Sequence, residues 1–216
     1  MSDAQRRKHI LGALAIYTAF CLISALSRFS EAGFSLMVFA GILFPLAWAK
    51  RTGTWAEMGF TRQNLSRAVL WGVAAGAAMA LIGSAVVKAR WFPPDMGLQL
   101  AVGVPLWLLL ASPFQEFFFR GWLQTRLENA LGRAWGLLTA SALFVLWHYA
   151  PDFVGNPRMP FPLDTLPGLA ATGIAALILG YVFQRTRNIV APWLAHAIFG
   201  IAFILMGIGG FADSLS

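Results

Sequence analysis

The chain has 216 residues, of which 58% are hydrophobic and 12% are charged, and its mean hydropathy is +0.68. A soluble domain of this length carries about a quarter charged residues, so the composition excludes an ordinary water-soluble globular protein. Apolar runs recur that are long enough to cross a bilayer, which takes about 20 residues each. The sequence therefore predicts an all-α fold, a polytopic transmembrane helical bundle of about seven to eight helices. The expected partner of such a bundle is the membrane lipid bilayer.

The hydropathy pattern predicts seven helices, with an early break in the fourth. In chain order they lie at residues 9–27, 34–49, 65–87, 97–131, 134–150, 165–184 and 189–208. The first is about as long as a membrane span and shows no small-residue cleavage site behind it, so we expect a retained helix and not a removed signal peptide. No repeat or flexible linker divides the chain. We therefore expect one integral-membrane domain over residues 1–216, whose motif-bearing core is about 97–208.

The positive charges predict an orientation, because short cytoplasmic loops collect Lys and Arg. With the N-terminus inside, the inner segments hold Arg6, Arg7, Lys8, Lys50, Arg51, Arg62, Arg67, Arg126, Arg133, Arg185 and Arg187. The outer segments hold only Arg28, Lys88, Arg90 and Arg158. This asymmetry accounts for the net charge of +7, so no nucleic-acid partner is expected. We expect the N-terminus in the cytoplasm and the protein in a bacterial inner membrane.

Two segments are interpreted as packing or connection. Gly72, Gly76, Ala80 and Ser84 recur at four-residue spacing, which lets a neighbouring helix approach closely. The proline-rich segment 150–167 is predicted to be an outer loop, either a lid or a connector, because proline interrupts helices.

Ionisable side chains inside the predicted helices are few, and such groups are costly in a membrane and usually functional. Glu116, Arg120, His148 and His196 stand out among them. Glu116 and Arg120 are one helical turn apart on the same face, so they can pair and share the cost of desolvation. The three phenylalanines at 117–119 are expected to cover the remaining faces with apolar surface.

A hairpin with its turn at Gly132 would place Glu116 and His148 at the same depth. Each lies sixteen residues from Gly132, or about 24 Å at 1.5 Å per residue. We therefore expect the carboxylate and the imidazole to face each other. His196 follows Arg187 by nine residues, about 13 Å along its helix, and is expected near the same depth.

One glutamate and two histidines converging on a buried point suit hydrolysis in two ways. In the first, Glu116 is a general base toward water, one imidazole shares the proton and the other stabilises the oxyanion. In the second, Glu116, His148 and His196 bind zinc with an open water position, although no H-E-x-x-H motif supports this. A third interpretation is that these residues only pair across helices and specify packing.

Three short motifs lie on the fourth, fifth and seventh predicted helices: Q-E-F-F-F-R at Gln115–Arg120, F-V-L-W-H at Phe144–His148, and H-A-I-F-G at His196–Gly200. In the same order, they resemble the motifs E-E-x-x-x-R, F-x-x-x-H and H-x-x-x-N or H-x-x-x-D of the CPBP intramembrane proteases. That family includes the CAAX prenyl endopeptidases and bacteriocin-processing enzymes. The resemblance covers about residues 105–205.

The resemblance implies a glutamic-type intramembrane endopeptidase that needs neither a metal nor another cofactor. Its catalytic residues would be Glu116, His148 and His196. Its supporting residues would be Arg120, Gln115, Phe144 and Gly200.

Two positions depart from the family pattern. Gln115 replaces the first glutamate, and Gly200 replaces the Asn or Asp that would help to bind the oxyanion. Gln115 can donate a hydrogen bond but cannot accept a proton as a base, so Glu116 is the carboxylate left for that role. Losing one oxyanion donor typically costs about 10²–10³ in rate, so we still expect a working enzyme.

The resemblance implies a membrane-anchored peptide or protein substrate that is cut near its terminus. A prenylated C-terminus, a leader peptide and a C-terminal sorting helix, as in the myxosortase branch, are all open. We favour a leader or a sorting signal, because prenylated substrates are unexpected in a bacterium. In the predicted orientation, Glu116 and His148 lie towards the outer leaflet.

Two other classes of function are open. A catalytically inactive relative could bind a peptide, confer bacteriocin immunity or assist assembly. A small transporter could use Glu116 as a proton relay, but transport would favour a repeat in the two halves of the chain, and the sequence has none.

Overall fold

A computed structural model describes residues 2–27, 29–86, 92, 96–149 and 166–207. Within these ranges the chain is helical and has no strand. The seven helices described are α1 (Asp3–Leu26), α2 (Glu31–Thr52), α3 (Leu65–Val86), α4 (Met96–Leu131), α5 (Arg133–Tyr149), α6 (Leu166–Thr186) and α7 (Val190–Leu205). The predicted all-α bundle is confirmed.

Helix lengths bear on the predicted number of membrane crossings. Five of the described helices, α1 to α4 and α6, are long and apolar enough to cross a membrane. Helix α5 has 17 residues, and α7 is apolar but has 16. Of the seven predicted crossings, length and composition therefore support five, and the protein is an integral membrane protein. The single domain over residues 1–216 remains a prediction.

Helix α4 is 36 residues long and continuous, so the early break predicted within residues 97–131 is wrong. Instead of breaking, the helix widens into π-helix at Trp107–Ala111 and again at Phe117–Gln124. Single π-helical turns insert one extra residue and are frequent at functional sites. The two wide segments of α4 flank the short stretch Ser112–Glu116, which carries the candidate carboxylate.

The turn between α4 and α5 lies at Gly132, as predicted. Helix α4 ends at Leu131 and α5 begins at Arg133, and Gly132 between them has a φ of +83°. Glycine adopts this left-handed backbone without strain, whereas other residues rarely do. The two helices therefore form the antiparallel hairpin that the sequence indicated.

Small residues of α3 allow α7 to approach closely. A Cβ atom at Gly72 would lie 2.8 Å from the carbonyl oxygen of Ala191. A Cβ at Gly76 would lie 2.8 Å from Cβ of Ile198 and 2.9 Å from the carbonyl oxygen of Ala195. Side chains larger than hydrogen would push the helices apart. The packing role predicted for these two glycines is confirmed, and it positions the helix that carries His196.

The start of α7 is fixed by Asn188, whose side chain is fully buried. Its amide nitrogen donates to the carbonyls of Thr61 at 2.9 Å and Gln63 at 2.8 Å. Its amide oxygen accepts from the backbone N–H of Val190 at 3.0 Å. One side chain therefore joins the first turn of α7 to the segment between α2 and α3.

Aromatic rings fill the space between α1, α4 and α5. Phe118 stacks on Phe20 with ring centroids 4.0 Å apart, and Phe119 meets Phe144 edge-on at 4.9 Å. Phe118 and Phe119 are buried and Phe117 is partly buried, so the apolar cover predicted for residues 117–119 is confirmed. Trp147 closes the cluster by donating its indole N–H to a serine hydroxyl of α1.

Some predictions fall outside the described residues. The proline-rich segment 150–167 is described only at Leu166 and Pro167, which open α6. The four basic residues assigned to the outer side, Arg28, Lys88, Arg90 and Arg158, are also outside.

Candidate active site

Glu116 lies inside the bundle with a fully buried side chain. Its Oε1 is 2.6 Å from Nδ1 of His196 on α7. Its Oε2 is 3.3 Å from Nε of Arg120, one turn further along α4. The ion pair predicted between Glu116 and Arg120 is confirmed, and the carboxylate has an imidazole on its other side.

Arg120 is held by three helices and is also buried. Its Nη2 donates to the carbonyl of Ala176 on α6 at 3.2 Å. Its guanidinium carbon lies 4.2 Å from the ring centroid of Phe144 on α5, a cation–π contact. These contacts hold the guanidinium in one orientation against Glu116.

The hydrogen bond to Glu116 determines how His196 presents its second nitrogen. An ionised carboxylate only accepts hydrogen bonds, so Nδ1 of His196 donates to it. In a neutral imidazole the other nitrogen, Nε2, then accepts. The His196 ring is buried and lies near the indole of Trp107, with ring centroids 5.9 Å apart.

His148 makes no hydrogen bond or ion pair to Glu116 among the described contacts, so the facing arrangement predicted from the hairpin remains a prediction. Its Nδ1 is 2.9 Å from the carbonyl oxygen of Phe144, one turn earlier on α5. The Phe144 ring packs between the two imidazoles, 4.4 Å from His148 and 6.4 Å from His196. The hairpin therefore brings His148 to the site through its contact with Phe144, and the intrahelical bond occupies its Nδ1.

Several buried polar atoms on α4 have no hydrogen-bond partner among the described residues. Gln115 donates Nε2 to the carbonyl of Ala111 at 3.2 Å, but its Oε1 has no partner. The same is true of the Ser112 hydroxyl and of Arg120 Nη1. Unpaired buried polar groups are rare in proteins, and each calls for a specific explanation. Their concentration beside Glu116 suits a site that binds a polar group.

Gly200 is buried next to Trp107. A Cβ atom at position 200 would overlap Cδ2 and Cε3 of the indole and would lie 2.5 Å from its Cε2. The Trp107 ring therefore occupies the space that an Asn or Asp side chain at position 200 would need. This contact gives a physical reason for the departure from the family pattern at Gly200.

The zinc alternative is not supported by the side-chain geometry. No three His, Cys, Asp or Glu side chains come together to hold a metal ion anywhere in the described ranges. Glu116 is occupied instead by an imidazole and a guanidinium. Glu116, His148 and His196 therefore do not fit a resident metal ion, and a metal-free reaction remains a prediction.

Sequence reasoning missed a second buried carboxylate, Glu128, twelve residues after Glu116 on α4. It accepts hydrogen bonds from Gln124 at 2.7 Å and from Gln184 on α6 at 2.8 Å. It also pairs with Arg187 at 2.7 Å. The spacing of Gln124 and Glu128, one turn apart, was a signal for this brace. Its distance of about 18 Å along α4 separates it from the candidate site.

Comparison with known protein families gives a match to the C-terminal part of the chain. A family model described as Rce1-like, type II CAAX prenyl endopeptidase, matches residues 97–202. The matched segment runs from the start of α4 to near the end of α7, so it contains all three motifs. No curated protein and no solved structure matches the chain. The resemblance inferred from the motifs is thereby confirmed.

Proposed function

Since residues 97–202 match the family model described as Rce1-like, type II CAAX prenyl endopeptidase, we propose that the chain is a glutamic-type intramembrane endopeptidase. The observation that carries the proposal is the buried cluster of Glu116, His196 and Arg120. Three ionisable groups are costly to keep inside a membrane protein, and such groups are usually functional. The cluster holds a carboxylate and an imidazole in direct contact, which suits proton transfer.

Glu116 and His196 together supply the base. A water molecule gives a proton to this pair, and its oxygen forms a bond to the carbonyl carbon of the scissile peptide. The electron pair of the carbonyl bond moves to its oxygen, which makes a tetrahedral oxyanion. The intermediate then collapses, the carbon–nitrogen bond breaks, and the proton passes from the pair to the amine nitrogen. Arg120 keeps the carboxylate in place throughout.

We assign His148 to positioning the attacking water. The Phe144 carbonyl only accepts, so Nδ1 of His148 donates to it and the neutral ring presents Nε2 as an acceptor. That nitrogen suits one O–H of water. Phe144 supports this arrangement, because its ring contacts both imidazoles and Arg120.

The orientation in the membrane is part of the proposal. Contacts between the ends of α2, α4 and α6 gather basic residues at one end of the bundle: Arg126 lies over Trp48, and Arg187 pairs with Glu128. Short cytoplasmic segments collect such charges, so this end faces the cytoplasm of a bacterial inner membrane, as does the N-terminus. Glu116 lies ten residues before Arg126, about 15 Å along α4, or half of a hydrocarbon core of about 30 Å.

The substrate in this proposal is a membrane-anchored peptide or protein that is cut near its terminus. A site at mid-membrane depth or beyond, towards the outer leaflet, suits a leader peptide or a C-terminal sorting helix. The family description includes prenylated substrates, so a prenylated C-terminus belongs in the same test.

The experiment is a cleavage assay in nanodiscs with a defined panel. The panel holds single-span peptides with leader-type or C-terminal sorting helices, a farnesylated C-a-a-X peptide and its unprenylated form. Mass spectrometry of the products is compared between the parent protein and Glu116→Gln. We expect the parent, but not the variant, to cut at least one peptide. If the parent cuts none, the enzymatic proposal is wrong.

The second candidate is a catalytically inactive member that binds a peptide, for immunity or assembly. Gln115 favours it, because an amide stands where the family has a carboxylate. Binding of a panel peptide by the parent without any product would support this candidate.

A further inference from the structure

The imidazoles of the candidate site offer hydrogen-bond acceptors to water, but the oxyanion needs a hydrogen-bond donor. Both imidazoles use Nδ1 to donate, His196 to Glu116 and His148 to the Phe144 carbonyl. Their Nε2 atoms therefore accept in the neutral rings and cannot donate to a negative oxygen. A donor aimed at the developing charge is usually a large term in acyl-transfer catalysis. The proton that the Glu116–His196 pair takes from water passes to the leaving amine, so the oxyanion needs a separate donor.

Two unpartnered N–H donors of the described residues border the Glu116–His196 pair. Arg120 Nη1 is one, but this atom is fully enclosed by protein. The other is the indole N–H of Trp107. It makes no hydrogen bond to another described residue, and its nitrogen is not fully enclosed by protein. The Trp107 side chain is half-buried, so a substrate group can reach its edge.

The position of the Trp107 ring suits this role. Its centroid is 5.9 Å from that of His196. Cε2, the carbon to which the indole nitrogen is bonded, lies 2.5 Å from the point where a Cβ at Gly200 would sit. The indole nitrogen is bonded to Cε2, so it lies close to the space that a side chain at residue 200 would need. An indole N–H is also a donor only, so it cannot compete for the proton of the attacking water.

The local structure of α4 holds the ring in this place. Trp107 is the first residue of the π-helical segment Trp107–Ala111. The next carbonyl, that of Leu108, accepts the indole N–H of Trp193 from α7 at 2.7 Å. This bond joins the wide segment of α4 to the helix that carries His196 and Gly200. The distance between Trp107 and the imidazole is thereby restrained.

We propose that Trp107 is the oxyanion donor of this enzyme and that Gly200 is required because it leaves room for the indole. The inference rests on the proposed endopeptidase function. When water adds to the scissile carbonyl, the oxygen gains the electron pair and accepts a hydrogen bond from Nε1 of Trp107. No covalent bond to the indole forms, and the N–H keeps its proton when the intermediate collapses to acid and amine.

The first test removes the N–H and keeps the ring. Genetic incorporation of benzothienylalanine at position 107 replaces the indole N–H by sulfur within a bicyclic ring of nearly the same shape. Trp107→Phe is a second variant without the donor. We expect kcat to fall about 10²–10³-fold in both, with KM changed little, because the donor acts mainly in the transition state. The matched control is Trp135→Phe on the exposed face of α5, which should keep the parental kcat.

The second test moves the donor from one residue to the other. Gly200→Asn alone should lose activity, because its side chain overlaps the indole. Trp107→Ala alone should also lose activity, because it removes the indole N–H donor. The double variant, Trp107→Ala with Gly200→Asn, should exceed both single variants in kcat, since an amide N–H enters the vacated space. Each variant is checked for membrane insertion and a single gel-filtration peak.

The outcomes separate the two proposals. If the parent cuts no panel peptide, the endopeptidase function fails and the donor role fails with it. If the parent cuts, but the benzothienylalanine form keeps the parental kcat, only the donor role of Trp107 is overturned. A large rise in KM with unchanged kcat would also overturn the donor role and would show that the ring contributes to substrate binding instead.

Discussion

Nδ1 of His196 lies 2.6 Å from Oε1 of Glu116, although 80 residues separate them in the sequence. The contact joins α4 to α7, and the close packing of α3 against α7 supports it. The carboxylate therefore works as half of a pair, and its other oxygen faces Arg120. The predictions below test the members of this cluster and the packing that holds them.

Replacing Glu116 with Gln should abolish cleavage and leave the protein inserted and folded. The amide keeps the shape of the side chain but cannot take up a proton as the carboxylate does. General bases typically contribute about 10²–10⁴ in rate, so a loss of at least this size is expected. Product formation is measured by mass spectrometry, with gel filtration as the control for folding. Undiminished cleavage would remove Glu116 from the mechanism.

Strong zinc chelators should leave cleavage unchanged. The described side chains do not form a three-ligand metal site, and Glu116 is already in contact with a guanidinium. The assay is repeated after incubation with a chelator and dialysis into metal-free buffer. Reproducible inhibition that is reversed by added zinc would contradict a metal-free reaction. It would indicate that Glu116, His148 and His196 bind zinc.

Replacing Arg120 with Met should lower both stability and activity. Removing one partner of a buried ion pair leaves the other without compensation, which typically costs about 3–5 kcal/mol. Arg120→Lys should retain more of both, because it keeps the charge, but it loses the planar contact with Phe144 and the bond to Ala176. Thermal unfolding and kcat are measured for all three forms. Parental stability and rate in Arg120→Met would make the pairing incidental.

Replacing Gly76 with Val should separate α3 from α7 and displace His196. The new side chain would meet the carbonyl of Ala195 and the side chain of Ile198. Overpacking of this kind typically costs about 1–3 kcal/mol. Gly12→Ala is the matched control, because nothing lies within 4 Å of a Cβ there. Melting temperature and cleavage should fall in the Val variant alone; equal values in the two would show that the close approach is not required.

Labelling with a membrane-impermeant maleimide should show opposite sides for the two ends of the bundle. In a Cys21→Ala background, a cysteine at Phe29 should react in intact cells, since this exposed residue lies between α1 and α2. A cysteine at Gln63, between α2 and α3, should react only after permeabilisation. Reversed labelling would invert the proposed orientation and place the basic end outside.

Much of this architecture was predictable from the sequence because membrane helices satisfy their own backbone hydrogen bonds. Local hydropathy alone therefore indicates where they lie. The turn at Gly132, the ion pair of Glu116 with Arg120, and the packing of Gly72 and Gly76 are local or depend on spacing along one helix. The three motifs likewise indicated the resemblance that the family model matches over residues 97–202.

Only the tertiary structure shows how each helix is rotated about its axis and which side chains of neighbouring helices meet. Spacing placed His148 at the depth of Glu116, but Nδ1 of His148 bonds to the Phe144 carbonyl, and it is His196 that contacts the carboxylate. Helix periodicity gives depth and face for one helix and does not say which neighbour that face meets. Trp107 occupies the space beside Gly200 at the start of a π-helical segment of α4. No pattern in the sequence predicted that segment. These relationships arise from packing between distant segments, so they become visible only when all the helices are in place.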